Sequence, residues 1–110
     1  MYTYNATVLR VIDGDTVQLN IDLGFRMYFK ANCRLNGLNT KELNSKDEAE
    51  RELANKAKQY LESLIPVNKS VRIESKSLDK YGRPLIELYV DDLHVNESLL
   101  KEGLAISYII

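Results

Sequence analysis

Between residues 16 and 35 polarity alternates residue by residue, and this limits the chain's possible folds more than any other feature. Val17, Leu19 and Ile21 alternate with Gln18, Asn20 and Asp22, and Met27, Phe29, Ala31, Cys33 and Leu35 alternate with Tyr28, Lys30, Asn32 and Arg34. Period two gives each run one core face and one opposite face, so both read as strands. Residues 4–12, with Val8, Leu9, Val11 and Ile12, form a third β-like run. Asp13-Gly14-Asp15 joins it to the second as a hairpin, with Gly14 expected to supply a positive φ. Leu23-Gly24-Phe25 turns the chain into the strand that ends at Leu35.

A helix follows. Ser45-Lys46-Asp47-Glu48 reads as a capping box with Ser45 as N-cap. The apolar stripe Ala49, Leu53, Ala57, Tyr60, Leu61 and Leu64 carries the helix to Leu64, and Pro66 stops it. Val71-Arg72-Ile73-Glu74 and Leu85 to Val90 are strands separated by the turn Asp79-Lys80-Tyr81-Gly82-Arg83-Pro84. His94 reads as a partly exposed loop residue after Asp91-Asp92. Asn96 reads as the N-cap of a short helix through Leu100 and Glu102, with Gly103 as its C-cap. The apolar tail from Leu104 to Ile110 is expected to pack as a last extended piece. The order β-β-β-α-β-β-α predicts a mainly β fold with helices (α+β). The expected architecture is a five-stranded OB-type Greek-key barrel with a helix between strands three and four and a short C-terminal helix.

Composition sets the outer bounds. With 110 residues, 45% of them hydrophobic, the chain is expected to be one domain that buries a core without disulfides. Cys33, the single cysteine, has the core parity of its strand and reads as a small buried hydrophobe. One cysteine and one histidine exclude a zinc cluster. No apolar run is long enough for a membrane helix, and the first residues lack a signal pattern, so a cytoplasmic, monomeric chain with no membrane partner is expected. A formal charge of −1 argues against coating long nucleic acid by bulk positive charge, yet allows a site for one or two phosphates.

The reactive side chains gather where the third strand ends, in Arg34-Leu35-Asn36-Gly37-Leu38-Asn39-Thr40-Lys41-Glu42. Asn-Gly is a strong hairpin signal, but no alternating strand follows, so Asn36-Gly37 reads as a bend where the strand leaves the sheet. Taken alone, Arg34 and Glu42 read as an ordinary surface ion pair. Asp15 is harder to explain: it shares the parity of Val17 and Leu19, and a carboxylate aimed that way needs a cation or donors. Asp15, Glu42, Arg34, Arg83 and the oxygen of Asn39 all fall at strand ends and turns. Phosphodiester hydrolysis uses this inventory: a hard cation on oxygen ligands, arginines on the phosphate, and a carboxylate for the attacking water.

Val11-Ile12-Asp13-Gly14-Asp15-Thr16-Val17, Arg34-Leu35-x-Gly37-Leu38-x-Thr40-x-Glu42, Asp79-Lys80-Tyr81-Gly82-Arg83, and Val95-Asn96-Glu97 with Gly103-Leu104-Ala105 occur in this order. Together they resemble the staphylococcal nuclease (thermonuclease) family over nearly the whole chain. The resemblance implies an OB-type barrel and calcium-dependent cleavage of DNA and RNA that leaves 3′-phosphates. It implies Asp15 as a calcium ligand, Thr40 as a backbone-carbonyl ligand and Asp13 as a nearby acid. It also implies Glu42 as general base, Arg34 and Arg83 on the phosphate, and Tyr81 and Tyr108 at the nucleotide. Three departures stand out. Asn39 falls where the family has a second calcium-binding aspartate, Lys41 replaces a proline, and the chain stops soon after Tyr108, where the staphylococcal enzyme continues into another helix. The neutral amide and the added cation predict weaker metal binding, and magnesium or manganese suits the same oxygen ligands. With no secretory segment visible in this sequence, the secreted scavenging role of the family is not expected to transfer, and a role inside a cell and one encoded by a mobile element both stay open.

Two other functions fit the residues. One is a non-catalytic member of the same family that binds nucleic acid or a protein, which Asn39 favours and the joint presence of Asp15, Arg34, Glu42 and Arg83 opposes. The other is a plain OB module that stacks single strands on Tyr28 and Tyr89, which lacks a basic groove in the composition.

Overall fold

Alternation produces the expected strands, and their lengths decide how they close. The computed structural model describes residues 2–108, apart from the side chain of Lys76. β1 (Tyr2–Asp13), β2 (Thr16–Gly24) and β3 (Met27–Leu35) form an antiparallel meander. β4 (Leu38–Asn39) leads to α1 (Glu48–Leu64), followed by β5 (Ser70–Leu78), β6 (Pro84–Val90), β7 (Leu93–His94), α2 (Val95–Lys101) and β8 (Ile106–Ser107). The sheet order is β3-β2-β1-β5-β6-β7, and a parallel pairing of Arg34-Leu35 with Leu85-Ile86 closes β3 on β6. The resulting ring of five strands is the expected OB-type barrel. β4 pairs with β8, so the tail does add an extended piece; Ile109 and Ile110 lie outside the described residues.

Inward-facing residues of the ring form one core: Val8, Val17, Leu19, Cys33, Leu35, Ile86 and Leu88, capped by Leu61 and Ile65 from α1 and by Val95 and Leu99 from α2. Cys33 is fully buried, and burial pushes its thiol up to about 12. Core parity holds for Ala31, Cys33 and Leu35 but fails for Met27 and Phe29, which are exposed. Met27 lies past Asn5–Asp22, the last pairing of β2 with β1, and so has no core to face, while Phe29, opposite Ile21, lines an open hollow with Tyr2, Tyr4 and Leu23.

The helices differ from expectation in three ways. Asp47, not Ser45, is the N-cap of α1: its carboxylate accepts from the Ala49 N–H at 2.9 Å. Ser45 sits two residues earlier, accepting from Asp47 N and donating to Glu50. Both are good capping residues, and the sequence holds a box in either frame, Ser45 to Glu48 or Asp47 to Glu50. The buried stripe of α1 is Ala54, Ala57 and Leu61, while Ala49 and Leu53 are exposed, because the helix rests its small-residue side on β1. Asn96 is not the N-cap of α2 either; His94 holds that position without a side-chain bond. Asn96 is buried, accepting from Leu88 N at 2.8 Å and donating to the carbonyls of Asn36 and Ile86, both at 3.0 Å. It ties α2 to β6 and to the bend after β3. His94 is partly buried beside Glu87, at 3.0 Å.

Candidate active site

The turn from β1 to β2 presents two carboxylates beside the end of β3. Asp13 accepts from the Asp15 N–H at 3.0 Å, closing the turn. Gly14 is not in the left-handed region, contrary to the sequence expectation. Space demands the glycine: a Cβ there would stand 2.7 Å from Ala57 Cβ and 3.0 Å from the Thr40 side chain. The absent side chain lets α1 and the Thr40 segment close over the turn, which holds Asp15 in place.

Asp15 is buried and its oxygens are all engaged. Oδ1 accepts from the Thr16 hydroxyl at 3.1 Å, and Oδ2 accepts from the Thr40 N–H at 3.2 Å and lies 2.7 Å from Arg34 Nη1. Burial works to raise its pKa, but the Asp13 hydrogen bond, the Arg34 charge and the Thr40 and Thr16 donors outweigh burial and hold it below the usual carboxylate range. Its neighbour moves the other way: burial first, then the hydrogen bond and charge of Asp15, push Asp13 up to about 6. The two carboxyls thus share a turn by dividing their proton affinities.

Arg34 lies on the outward parity of β3, yet it is only 8% exposed. The bend after β3 covers it: Nη2 donates to the Leu38 carbonyl at 3.1 Å and to Asn39 Oδ1. Its ion partner is Asp15, so the surface pair with Glu42 does not form. Nη1 is fully buried and pairs its charge with Asp15 at 2.7 Å, with no hydrogen bond to any described residue. Asn36-Gly37 is the expected bend rather than a hairpin, with Gly37 at φ 82°.

Arg83 arrives from the β5–β6 turn. Asp79, which sequence reasoning treated only as a turn residue, holds it: its Oδ2 accepts from Arg83 Nε at 2.7 Å, and its Oδ1 accepts from the N–H groups of Tyr81 and Arg83, both at 2.9 Å. Burial acts to raise the Asp79 pKa, but the Arg83 and Tyr81 donors hold it below its ordinary value. The i, i+4 spacing of an acid and an arginine around Tyr81-Gly82 was the available sequence signal.

A cavity of about 460 Å³ is lined by Asp13, Asp15, Arg34, Asn39, Thr40, Glu42 and Arg83, with Lys41 at its edge. Glu42 is exposed there and has no ion partner among the described residues. Arg34, Asn39 and Arg83 also line an adjoining depression with Tyr81 and Tyr108. Tyr81 lies 71% exposed, with the Arg83 guanidinium 5.5 Å and Lys80 Nζ 5.1 Å from its ring centre. The fold therefore gathers every site residue expected from the sequence around two connected hollows.

As to a metal, Asp15, Asn39 and the Thr40 segment offer only oxygen donors, which suits a hard cation, but with a single formal negative charge. Arg34 already touches both the Asp15 carboxylate and the Asn39 amide oxygen. Among the described residues no group of three or more His, Cys, Asp or Glu side chains gathers for a metal, and no helix is long and apolar enough to cross a membrane.

Comparison with known proteins agrees with this geometry. Residues 32–110 match the family model described as staphylococcal nuclease homologue. A thermonuclease of Staphylococcus hyicus is 32% identical over 100 residues, covering 89% of this chain and 56% of the relative. An uncharacterized protein of Bacillus anthracis is 30% identical over 107 residues, covering 94% of this chain and 47% of the relative. The chain thus spans about half the length of these curated relatives. With the family model matched over more than half its residues, the chain belongs to the staphylococcal nuclease homologue family.

Proposed function

We propose that the protein is a metal-dependent nuclease that hydrolyses phosphodiester bonds of DNA or RNA with water and leaves 3′-phosphate ends. The observation that carries this reading is one cavity lined by two guanidiniums, Arg34 and Arg83, together with the Glu42 carboxylate. Arg34 is held in place by Asp15, the Leu38 carbonyl and Asn39, so its charge is preorganised beside an incoming phosphate. Arg83, fixed through Nε by Asp79, has its Nη groups left for a second phosphate oxygen. Glu42, exposed and without an ion partner among the described residues, takes a proton from the attacking water. The water oxygen bonds to phosphorus as the P–O5′ bond breaks, and the leaving O5′ takes up a proton. Tyr81 and Tyr108 flank the nucleotide.

Asp15, the Asn39 amide oxygen and the Thr40 carbonyl would hold the cation, calcium or another divalent ion, whose chemistry when bound is to neutralise phosphate charge. Asp13 supports them by fixing the Asp15 turn.

One observation favours a non-catalytic reading: Arg34 already balances Asp15 and engages Asn39, so the site is electrically closed as it stands. Cleavage of single-stranded DNA, with calcium and with chelator, beside Glu42→Ala, separates the two. Calcium-dependent cleavage that Glu42→Ala lowers by about two or more orders of magnitude supports the nuclease. A folded protein that binds the strand without cutting it makes the chain a binding module.

A further inference from the structure

Tyr28 and Tyr89, from β3 and β6, line one trough on the outer wall of the barrel. Strand registers set a single row of side chains across it: Tyr28 opposite Asp22, Asp22 opposite Asn5, Asn5 opposite Arg72, and Arg72 opposite Tyr89. The cavity measures about 490 Å³. From β3 to β5 it spans three inter-strand steps, roughly 14 Å, which admits a flat ring between the side chains of its two walls.

One wall is a built platform. The Arg72 guanidinium lies 4.5 Å above the Tyr89 ring, and that ring stacks on His94 at 4.7 Å and 14°. Arg72 has no carboxylate partner among the described residues, so its planar face is fixed while its N–H edge stays free. Tyr28, 61% exposed, forms the other wall. Between them Asn5, Thr7, Asn20 and Ser70 line the trough, and none of their side chains makes a hydrogen bond among the described residues. Asp22 and Asp91 also line it, which disfavours a phosphate and favours a neutral ring that both donates and accepts.

The trough is joined to the Arg34 site by β3. Arg34, Asn32, Lys30 and Tyr28 share one face of the strand, in steps of roughly 6.7 Å, so Tyr28 lies roughly 20 Å from Arg34. Lys30, one step from Tyr28 and two from Arg34, has no ion partner among the described residues. A cation on this path suits the backbone of a strand whose bases turn into the trough.

We propose that the trough binds the base of an unpaired nucleotide a few positions from the bond cut, stacked against the Arg72–Tyr89 platform and Tyr28, on a single strand lying along β3. The inference rests on the nuclease reading of the Arg34 site and adds to it a second subsite, roughly 20 Å along β3, that only a strand longer than a dinucleotide reaches. The test measures binding of fluorescein-labelled thymidine dinucleotide and octanucleotide to the full chain carrying Glu42→Gln, in calcium, by anisotropy. The octanucleotide should bind about tenfold or more tightly than the dinucleotide. Arg72→Ala and Tyr28→Ala, on opposite walls, should each remove most of that gain and leave dinucleotide affinity unchanged. A gain that survives both substitutions overturns the trough, as does equal affinity for both lengths. If neither length binds, the nuclease reading and the trough fall together.

Discussion

Of the five glycines, Gly14 alone lacks room for a side chain, and it gives a prediction with a built-in control. In Gly14→Ala the new methyl would meet Ala57 Cβ at 2.7 Å and the Thr40 side chain at 3.0 Å. Carbon pairs settle at about 3.5–4.0 Å, so α1 and the Thr40 segment must each give way by up to roughly 1 Å. Overpacking of this kind costs about 1–3 kcal/mol. Gly14 is not in the left-handed region, so alanine meets no backbone strain and regains about 0.4–1 kcal/mol through the unfolded chain. The net expectation is a loss of about 1–2 kcal/mol, read as a lower urea midpoint at constant slope. Ala57→Gly alone should cost about 1 kcal/mol in helix propensity and roughly 0.8 more for the lost buried methyl. Combining them removes the 2.7 Å contact but leaves the contact with Thr40, so the double variant should be more stable than the sum by about 1 kcal/mol. Additivity within about 0.4 kcal/mol, or a Gly14→Ala variant as stable as the wild type, would refute the claim that helix contact dictates this glycine.

Three further outcomes are expected. Asn39→Asp should tighten calcium binding by roughly tenfold or more, since affinity follows ligand charge; isothermal titration checks it, and no gain would remove residue 39 from the ligand set. Asn96→Leu should destabilise the protein by about 2–4 kcal/mol in urea melts, because the buried Leu88 N–H loses its acceptor and the Asn36 carbonyl loses a donor. Cys33, with its thiol pushed up to about 12, should resist alkylation in the folded protein. Its raised pKa means that the unfolded chain releases the proton first, so its contribution is intact below about 8.5 and is lost as pH climbs toward the folded value. A Cys33→Ser or Cys33→Ala comparison of urea midpoints between neutral and strongly alkaline pH measures that slope.

The barrel was legible because period two is local. Val17, Leu19, Ala31, Cys33 and Leu35 needed only their neighbours to reveal a buried face. Met27 and Phe29 carry the same signal and are exposed, because their fate depends on where β1 parts from β2 to pair only with β5, which is set elsewhere in the chain. Ser45 and Asp47 are both competent caps; Asp47 takes the Ala49 N–H, and Ser45 is occupied instead by Asp47 N and Glu50, a division the sequence does not reveal. Gly14 and Asn96 look like a turn glycine and a helix cap, but the first is fixed by a helix that arrives later in the chain and the second by three backbone groups on other elements.

The same division runs through the site. Residue types at strand ends were enough to name Asp15, Arg34, Asn39, Glu42 and Arg83, but pairing is a property of space. Arg34 passes over Glu42, only eight positions away, because the bend at Asn36-Gly37 folds the Leu38 carbonyl and Asn39 onto its guanidinium and the Gly14 turn brings in Asp15. The buried charges at this wall then match one to one, Asp15 against Arg34, with Asn39 adding none. An aspartate at position 39 would leave a net negative charge here, which a cation would offset or protonation remove. The neutral amide avoids that imbalance, so the buried charges here are paired without a cation, and the cation proposed for this site is expected to bind weakly. Its departure from the family pattern at one residue thus changes what the charged groups around it require.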